Sequence, residues 1–149
     1  DYTGMRTTVV SALLFDGSVV VGHVGDSRLY IWSDGLLDQI TQDDSWVTTM
    51  VAQSPGDSVP DMAKHPMRHV LTNVLGAREP TDIHIVERPV VPGDSLLLSS
   101  DGLHGVLSAE VMAGMLGRGL APDVLAQDLV RAALEAGSRD NVTALVVQL

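Results

Sequence analysis

Two Asp-Gly dipeptides, Asp16-Gly17 and Asp34-Gly35, divide the early part of the chain into apolar runs too short for helices and well suited to paired strands. Residues 7–14 are β-branched and apolar, residues 18–25 read SVVVGHVG, LYIW follows Gly-Asp-Ser-Arg, and LLDQIT follows the second dipeptide. Connections this short leave no room for helical crossovers, so the pattern predicts an antiparallel meander.

Further on, IHIVERPVV in residues 83–91 predicts another strand, Pro92-Gly93 a turn, and SLLLSS a strand in residues 95–100. The final NVTALVVQL is apolar at alternating positions of both sets, which predicts a strand buried on both sides within a sandwich. Ser108 is a suitable N-cap for AEVMAGMLG, a helix expected to stop at residues 117–119. A second helix is expected from Pro122, with Val124, Leu125, Leu129, Ala132 and Ala133 on one face and Gly137 closing it.

Residues 42–64 differ: DDSWVTTMVA predicts a short helix capped by Asp44 or Ser45, and QSPGDSVPD is loop chemistry. This stretch reads as an insert over a scaffold. With 149 residues, 45% of them hydrophobic, and no repeat or linker, the expectation is one domain over residues 1–149.

Nineteen acidic against nine basic side chains give a net charge of -10, which disfavours nucleic acid as a partner. The absence of cysteine excludes disulfides, thiolate zinc sites and thiol nucleophiles, and fits a reducing, cytoplasmic setting. No run approaches the roughly 20 apolar residues of a membrane span. The chain opens near a strand, without Met or a charged-then-apolar leader, so it is expected to begin part-way through a longer protein.

Asp26, Asp101 and Asp140 each stand where a predicted core strand meets a turn. If adjacent strand ends bring them together, their hard oxygens suit Mg²⁺ or Mn²⁺. Taken singly, each is better explained by turn chemistry, because Asp side chains accept backbone N–H bonds.

Six segments, GMRTTVV, GHVGDSRLYIW, ITQDDSWV, HPMRHVLTNVLG, LLLSSDGL and GSRDNVTALVV, resemble in order the motifs of the metal-dependent serine/threonine protein phosphatases, the PPM or type 2C family, in its bacterial form. The resemblance implies an α+β fold, an antiparallel β-sandwich flanked by helices in α-β-β-α layers. It implies a dinuclear Mn²⁺ or Mg²⁺ centre with Asp101 and Asp140 as ligands, a third ion supported by Asp26 with Asp101, and a flap-like insert over about residues 42–72. Ser27, Gly102 and Asn141 stand beside these ligands, and Gly102 is expected to let the chain turn next to the ion. The implied reaction is hydrolysis of phosphoserine and phosphothreonine on proteins by a metal-activated water, opposed by serine/threonine kinases.

The family's bridging Asp-Gly, a further acidic ligand and a phosphate-binding Arg precede the Gly-Met motif, and none has a counterpart in this sequence. The N-terminal part of the catalytic domain is therefore expected to be missing, and no catalytic residue is assignable. Arg6, Asp44 and His69 stand where the family usually has Gly, His and Asn. Two alternatives remain at this point: an inactive phosphatase-like binding or regulatory domain, and another carboxylate-metal hydrolase acting on small phosphoesters. Of the other polar residues, Arg28 is expected to pair with a local carboxylate, His23 to be a core histidine bonded to backbone, His104 to lie at the outer rim, and Arg139 and Asn141 to orient the Asp140 loop.

Overall fold

The structure, a computed structural model, describes residues 4–53, 65–67, 69–77 and 79–149. Two antiparallel sheets form its centre. β1 (Val9–Phe15), β2 (Ser18–Val24) and β5 (His84–Pro89) make one, in the order β1-β2-β5. β3 (Arg28–Ser33), β4 (Leu36–Gln39), β6 (Ser95–Ser99) and β7 (Ala144–Gln148) make the other, in the order β4-β3-β6-β7. The Asp-Gly turns are hairpins as predicted, with Asp16, Gly17, Asp34 and Gly35 all at positive φ.

The expected continuous meander is interrupted between β2 and β3. These strands are consecutive in sequence but belong to different sheets, so GDSR is the crossing from one layer of the sandwich to the other. Val19 and Val21 of the first sheet meet Leu29 and Leu96 of the second in the core between the layers.

The other face of the four-stranded sheet carries α3 (Ala109–Leu116) and α4 (Pro122–Glu135). Leu97 and Val146 pack there against Met112, Leu116, Leu125, Leu129 and Ala133. Ser108 caps α3 through its hydroxyl and Pro122 opens α4, as the sequence predicts. Val124 is exposed and lies off the buried stripe of α4.

The last strand corrects a second expectation. β7 is an edge strand with Val146 buried and Leu145 53% exposed, so its double-sided apolar pattern does not make it central. On the three-stranded sheet, the outward-facing Leu13, Phe15 and Ile85 are 66%, 73% and 72% exposed, and β1 is an edge. No helix among the described residues is long and apolar enough to cross a membrane.

Of the predicted insert, α1 (Trp46–Gln53) is a helix, and Ser45 rather than Asp44 caps it, accepting from Thr48 N at 3.2 Å. The loop predicted over residues 53–61 lies, beyond Gln53 at the end of α1, outside the described residues. The ends of the insert are joined where Trp46 N donates to Val70 O and Thr72 N to Asp44 O.

Candidate metal centre

Strand register gathers the three candidate aspartates at one end of the four-stranded sheet. Arg28 pairs with Ser99, so Asp26, two residues before the first, and Asp101, two residues after the second, overhang the same end. Ser99 also pairs with Ala144, which places Asp140, four residues earlier, beyond that end as well.

The first two interact. Burial, followed by the neighbouring Asp101 carboxylate, pushes the Asp26 carboxyl above its ordinary range; its own backbone opposes this, Asp43 adds to it, and Arg28 opposes it. An Asp26 carboxyl raised in this way favours a compensating cation, and all-oxygen donors suit a hard divalent ion.

Asp140 does not complete a three-way cluster. Among the described residues no three His, Cys, Asp or Glu side chains stand together as a group able to hold a metal ion. The convergence of Asp26, Asp101 and Asp140 suggested by strand-end placement is reached by the pair alone. Asp140 lies further out along its chain, is exposed, and its Oδ1 accepts from the adjacent Asn141 N at 2.7 Å, a local side-chain-to-backbone bond.

The loop carrying Asp140 is nonetheless fixed against Asp101. Ser100 donates through Oγ to Asn141 O at 3.0 Å and accepts from Thr143 N at 3.0 Å, while Ser138 Oγ donates to Gly102 O at 2.7 Å. Asp101 opens a single helical turn, α2 (Asp101–His104). Gly102 therefore does not supply a turn of unusual φ. It is needed because a Cβ there would strike the Asn141 carbonyl, whose carbon would be 2.9 Å away. Asn141 thus orients the loop through its backbone, and Ser27 bonds Thr8 of the neighbouring segment, Oγ to Oγ1 at 2.9 Å.

The charge partners lie alongside. Arg28 forms the expected local pair, donating to Asp43 from Nε at 2.8 Å and Nη2 at 2.7 Å, and to Tyr30 Oη from Nη1 at 3.0 Å. Burial opposes its charge, but the bonds to Asp43 and Tyr30 raise its pKa further. His104 Nδ1 is 2.9 Å from Ser99 Oγ, and burial, with help from Arg28, lowers its pKa to about 4. His23 is buried as expected, yet among the described residues its Nδ1 has no hydrogen-bond partner; the ring stacks on His84 with centroids 4.9 Å apart.

Asp43, Asp44, His84, Ser100 and Ser138 were not singled out as site residues from the sequence. For Asp43 and Asp44 the Asp-Asp pair at the start of the insert was the available signal, whereas His84 is 40 residues from its partner Asp44 and local pattern gives no hint of the contact. Arg6 is not among the described residues with positive φ, so it makes no demand for glycine at that position. His69 is exposed.

The arrangement defines a class of protein: a two-sheet α+β domain with an acidic rim at the end of its inner strands. No protein-family model matches the chain. It is 32% identical over 147 residues to a putative protein phosphatase 2C-type of Streptococcus pyogenes, covering 99% of this chain and 59% of that protein. The serine/threonine phosphatase Stp1 from Staphylococcus aureus superposes with a TM-score of 0.91 at 32% identity, over 99% of this chain and 58% of that one. The catalytic domain of the serine/threonine protein phosphatase PstP, in complex with two manganese ions, gives a TM-score of 0.79 at 36% identity, over 98% and 60% of the two chains. With its ordered motifs and this sandwich, the chain is similar over nearly its whole length to bacterial type 2C serine/threonine phosphatases. It spans less than two thirds of the length of these relatives.

Proposed function

We propose that the protein containing this chain hydrolyses phosphoserine and phosphothreonine esters on proteins with the help of Mn²⁺ or Mg²⁺. The observation that carries the reading is the strand register that sets Asp26 and Asp101 at the same end of the four-stranded sheet, where burial and then the Asp101 carboxylate push the Asp26 carboxyl above its ordinary range. The donor set fits a hard divalent ion in chemistry. Asp101 and Asp140 are the proposed ligands of a dinuclear centre and Asp26 that of a weaker third ion, with Ser27, Gly102 and Asn141 supporting them. A pair of bound metals would supply a water activated at neutral pH and charge to neutralise the phosphoryl oxygens.

The residues of this chain hold and orient. The leucine-rich β6 fixes where Asp101 projects, Ser100 and Ser138 tie the Asp140 loop to it, and Arg28 holds Asp43 as an ion pair beside Asp26. A polar cavity of about 310 Å³ lies between α1 and the Asp43–Asp44–His84 side of the rim. Its threonine hydroxyls and glutamine amides suit the peptide backbone flanking a phosphorylated residue, and support a protein as substrate over a small phosphoester. A serine/threonine kinase is the expected source of that substrate.

The test is release of phosphate from a phosphothreonine peptide by the full natural protein with and without Mn²⁺. Asp26→Asn should lower activity while tight metal remains bound in a calorimetric titration. Metal-independent turnover, or loss of all metal binding in Asp26→Asn, contradicts this assignment.

A further inference from the structure

Asp44 holds a position at which four segments converge, its own and those of Gly25, Thr72–Asn73 and His84. Its Oδ2 accepts from Gly25 N at 2.9 Å and from Asn73 Nδ2 at 2.8 Å, and its Oδ1 is 2.9 Å from His84 Nε2. Its backbone N donates to Gly25 O at 3.0 Å and its carbonyl accepts from Thr72 N at 2.8 Å. The Asp44 side chain is 12% exposed, so the bonds from Gly25 and Asn73 form partly out of water, where abandoning an acceptor costs more, while the His84 bond lies at the surface.

What Asp44 grips is the residue immediately before Asp26. Gly25 sits at φ +100, a conformation that side chains rarely adopt, and a Cβ there would collide with Thr8, whose own Cβ would be 2.7 Å away. Glycine adopts this conformation without steric cost but also has the most conformational freedom to lose, so outside bonds help to fix it. Asp44 supplies both of the bonds described for Gly25, one to its N–H and one to its carbonyl. Asn73 and His84 in turn fix the Asp44 carboxylate: Asn73 also donates to Asp82 O at 2.7 Å, and His84 is stacked on buried His23.

We propose that Asp44 is a positioning residue, holding the Gly25–Asp26 corner through a carboxylate that Asn73 and His84 orient, and so linking both ends of the insert to the Asp26 side of the metal centre. The proposal rests on the reading of Asp26 as a metal-site carboxylate, but the link itself is made of protein groups alone. Asp44 touches neither substrate nor metal in this role. It acts through the backbone of Gly25.

The test is amide hydrogen exchange followed by NMR in the full natural protein, free of metal, with Leu97 of the core as the internal standard. Asp44→Ala is expected to speed exchange at Gly25 by about tenfold or more, the worth of a charge-assisted hydrogen bond, without changing Leu97. Asp44→Asn, which keeps an acceptor oxygen, should restore most of that protection. A Mn²⁺ titration should show the weakest site loosened in Asp44→Ala and recovered in Asp44→Asn. Gly25 exchange unchanged in Asp44→Ala overturns the proposal. If that variant also unprotects Leu97, His84→Leu decides: exchange at Gly25 faster by about threefold supports the link, and an unchanged rate overturns it. Because the exchange readout needs no metal, its failure is separable from failure of the phosphatase reading.

Discussion

Gly102 and Asn141 meet backbone to backbone: a Cβ on Gly102 would run into the Asn141 carbonyl, with its carbon 2.9 Å away and Val142 Cα 3.4 Å away. This contact seats the Asp140 loop against the helical turn that begins at Asp101. Neither neighbour is the end of a flexible side chain, so an added methyl can be accommodated only by moving one loop away from the other.

Gly102→Ala is accordingly expected to cost about 1–3 kcal/mol of stability, in the range of overpacking substitutions, and to weaken metal binding by separating Asp101 from Asp140. Urea denaturation and a Mn²⁺ titration of the same variant measure the two effects. A variant matching wild type in both contradicts the close approach.

The Arg28–Asp43 pair should show the asymmetry of a partly buried ion pair. Removing the guanidinium alone in Arg28→Met leaves the Asp43 carboxylate without its two strongest donors. We expect a loss of about 1–3 kcal/mol, larger than the loss in the Arg28→Met/Asp43→Leu double variant. A double-mutant cycle by chemical denaturation checks this, and strict additivity contradicts it.

His104 provides a pH signature. Its folded pKa is lowered to about 4, by burial first and by Arg28 second, from an unfolded value near 6.5. Between these values the unfolded chain binds more protons than the native state, so stability rises with pH across that window. The contribution is fully present above about pH 6.5 and is lost as pH falls toward 4, with an upper bound of about 3 kcal/mol. His104→Gln should flatten the difference between stability measured at pH 4.5 and at pH 7. An undiminished pH dependence in that variant removes His104 as its source.

Leu13 and Ile85 stand on the same outward face of the three-stranded sheet, since their β2 partners Val20 and Gly22 are two residues apart. With Phe15 they form an exposed apolar surface beside an edge strand. Expressed alone, residues 1–149 are expected to self-associate, and Leu13→Lys with Ile85→Lys to reduce it. Sedimentation or light scattering decides, and a monodisperse wild-type chain contradicts the expectation.

Strands and caps were legible where their chemistry is local. Asp16-Gly17 and Asp34-Gly35 announce hairpins, and Ser108 and Pro122 announce helix starts, because each acts within a few residues. Assignment of strands to sheets was not: Gly-Asp-Ser-Arg looks like a hairpin turn, and only the packing of Val21 against Leu29 across the sandwich reveals it as a crossing between layers. The edge position of β7 was hidden for a similar reason, since Leu145 is apolar yet exposed. In the site, the motif aspartates stood out, but the Asp44 bonds to Gly25, Asn73 and His84 span 19, 29 and 40 residues of sequence. Contacts at that range leave no periodic trace.

The most direct test of the account is Mn²⁺-dependent release of phosphate from a phosphothreonine peptide by the full natural protein, compared with its Asp101→Asn variant. Asp101 stands at the same end of the four-stranded sheet as Asp26, so neutralising it should cost about a hundredfold or more in turnover, together with loss of bound Mn²⁺, while the fold is retained. Turnover and Mn²⁺ binding equal to wild type in Asp101→Asn would contradict the metal centre proposed for this rim.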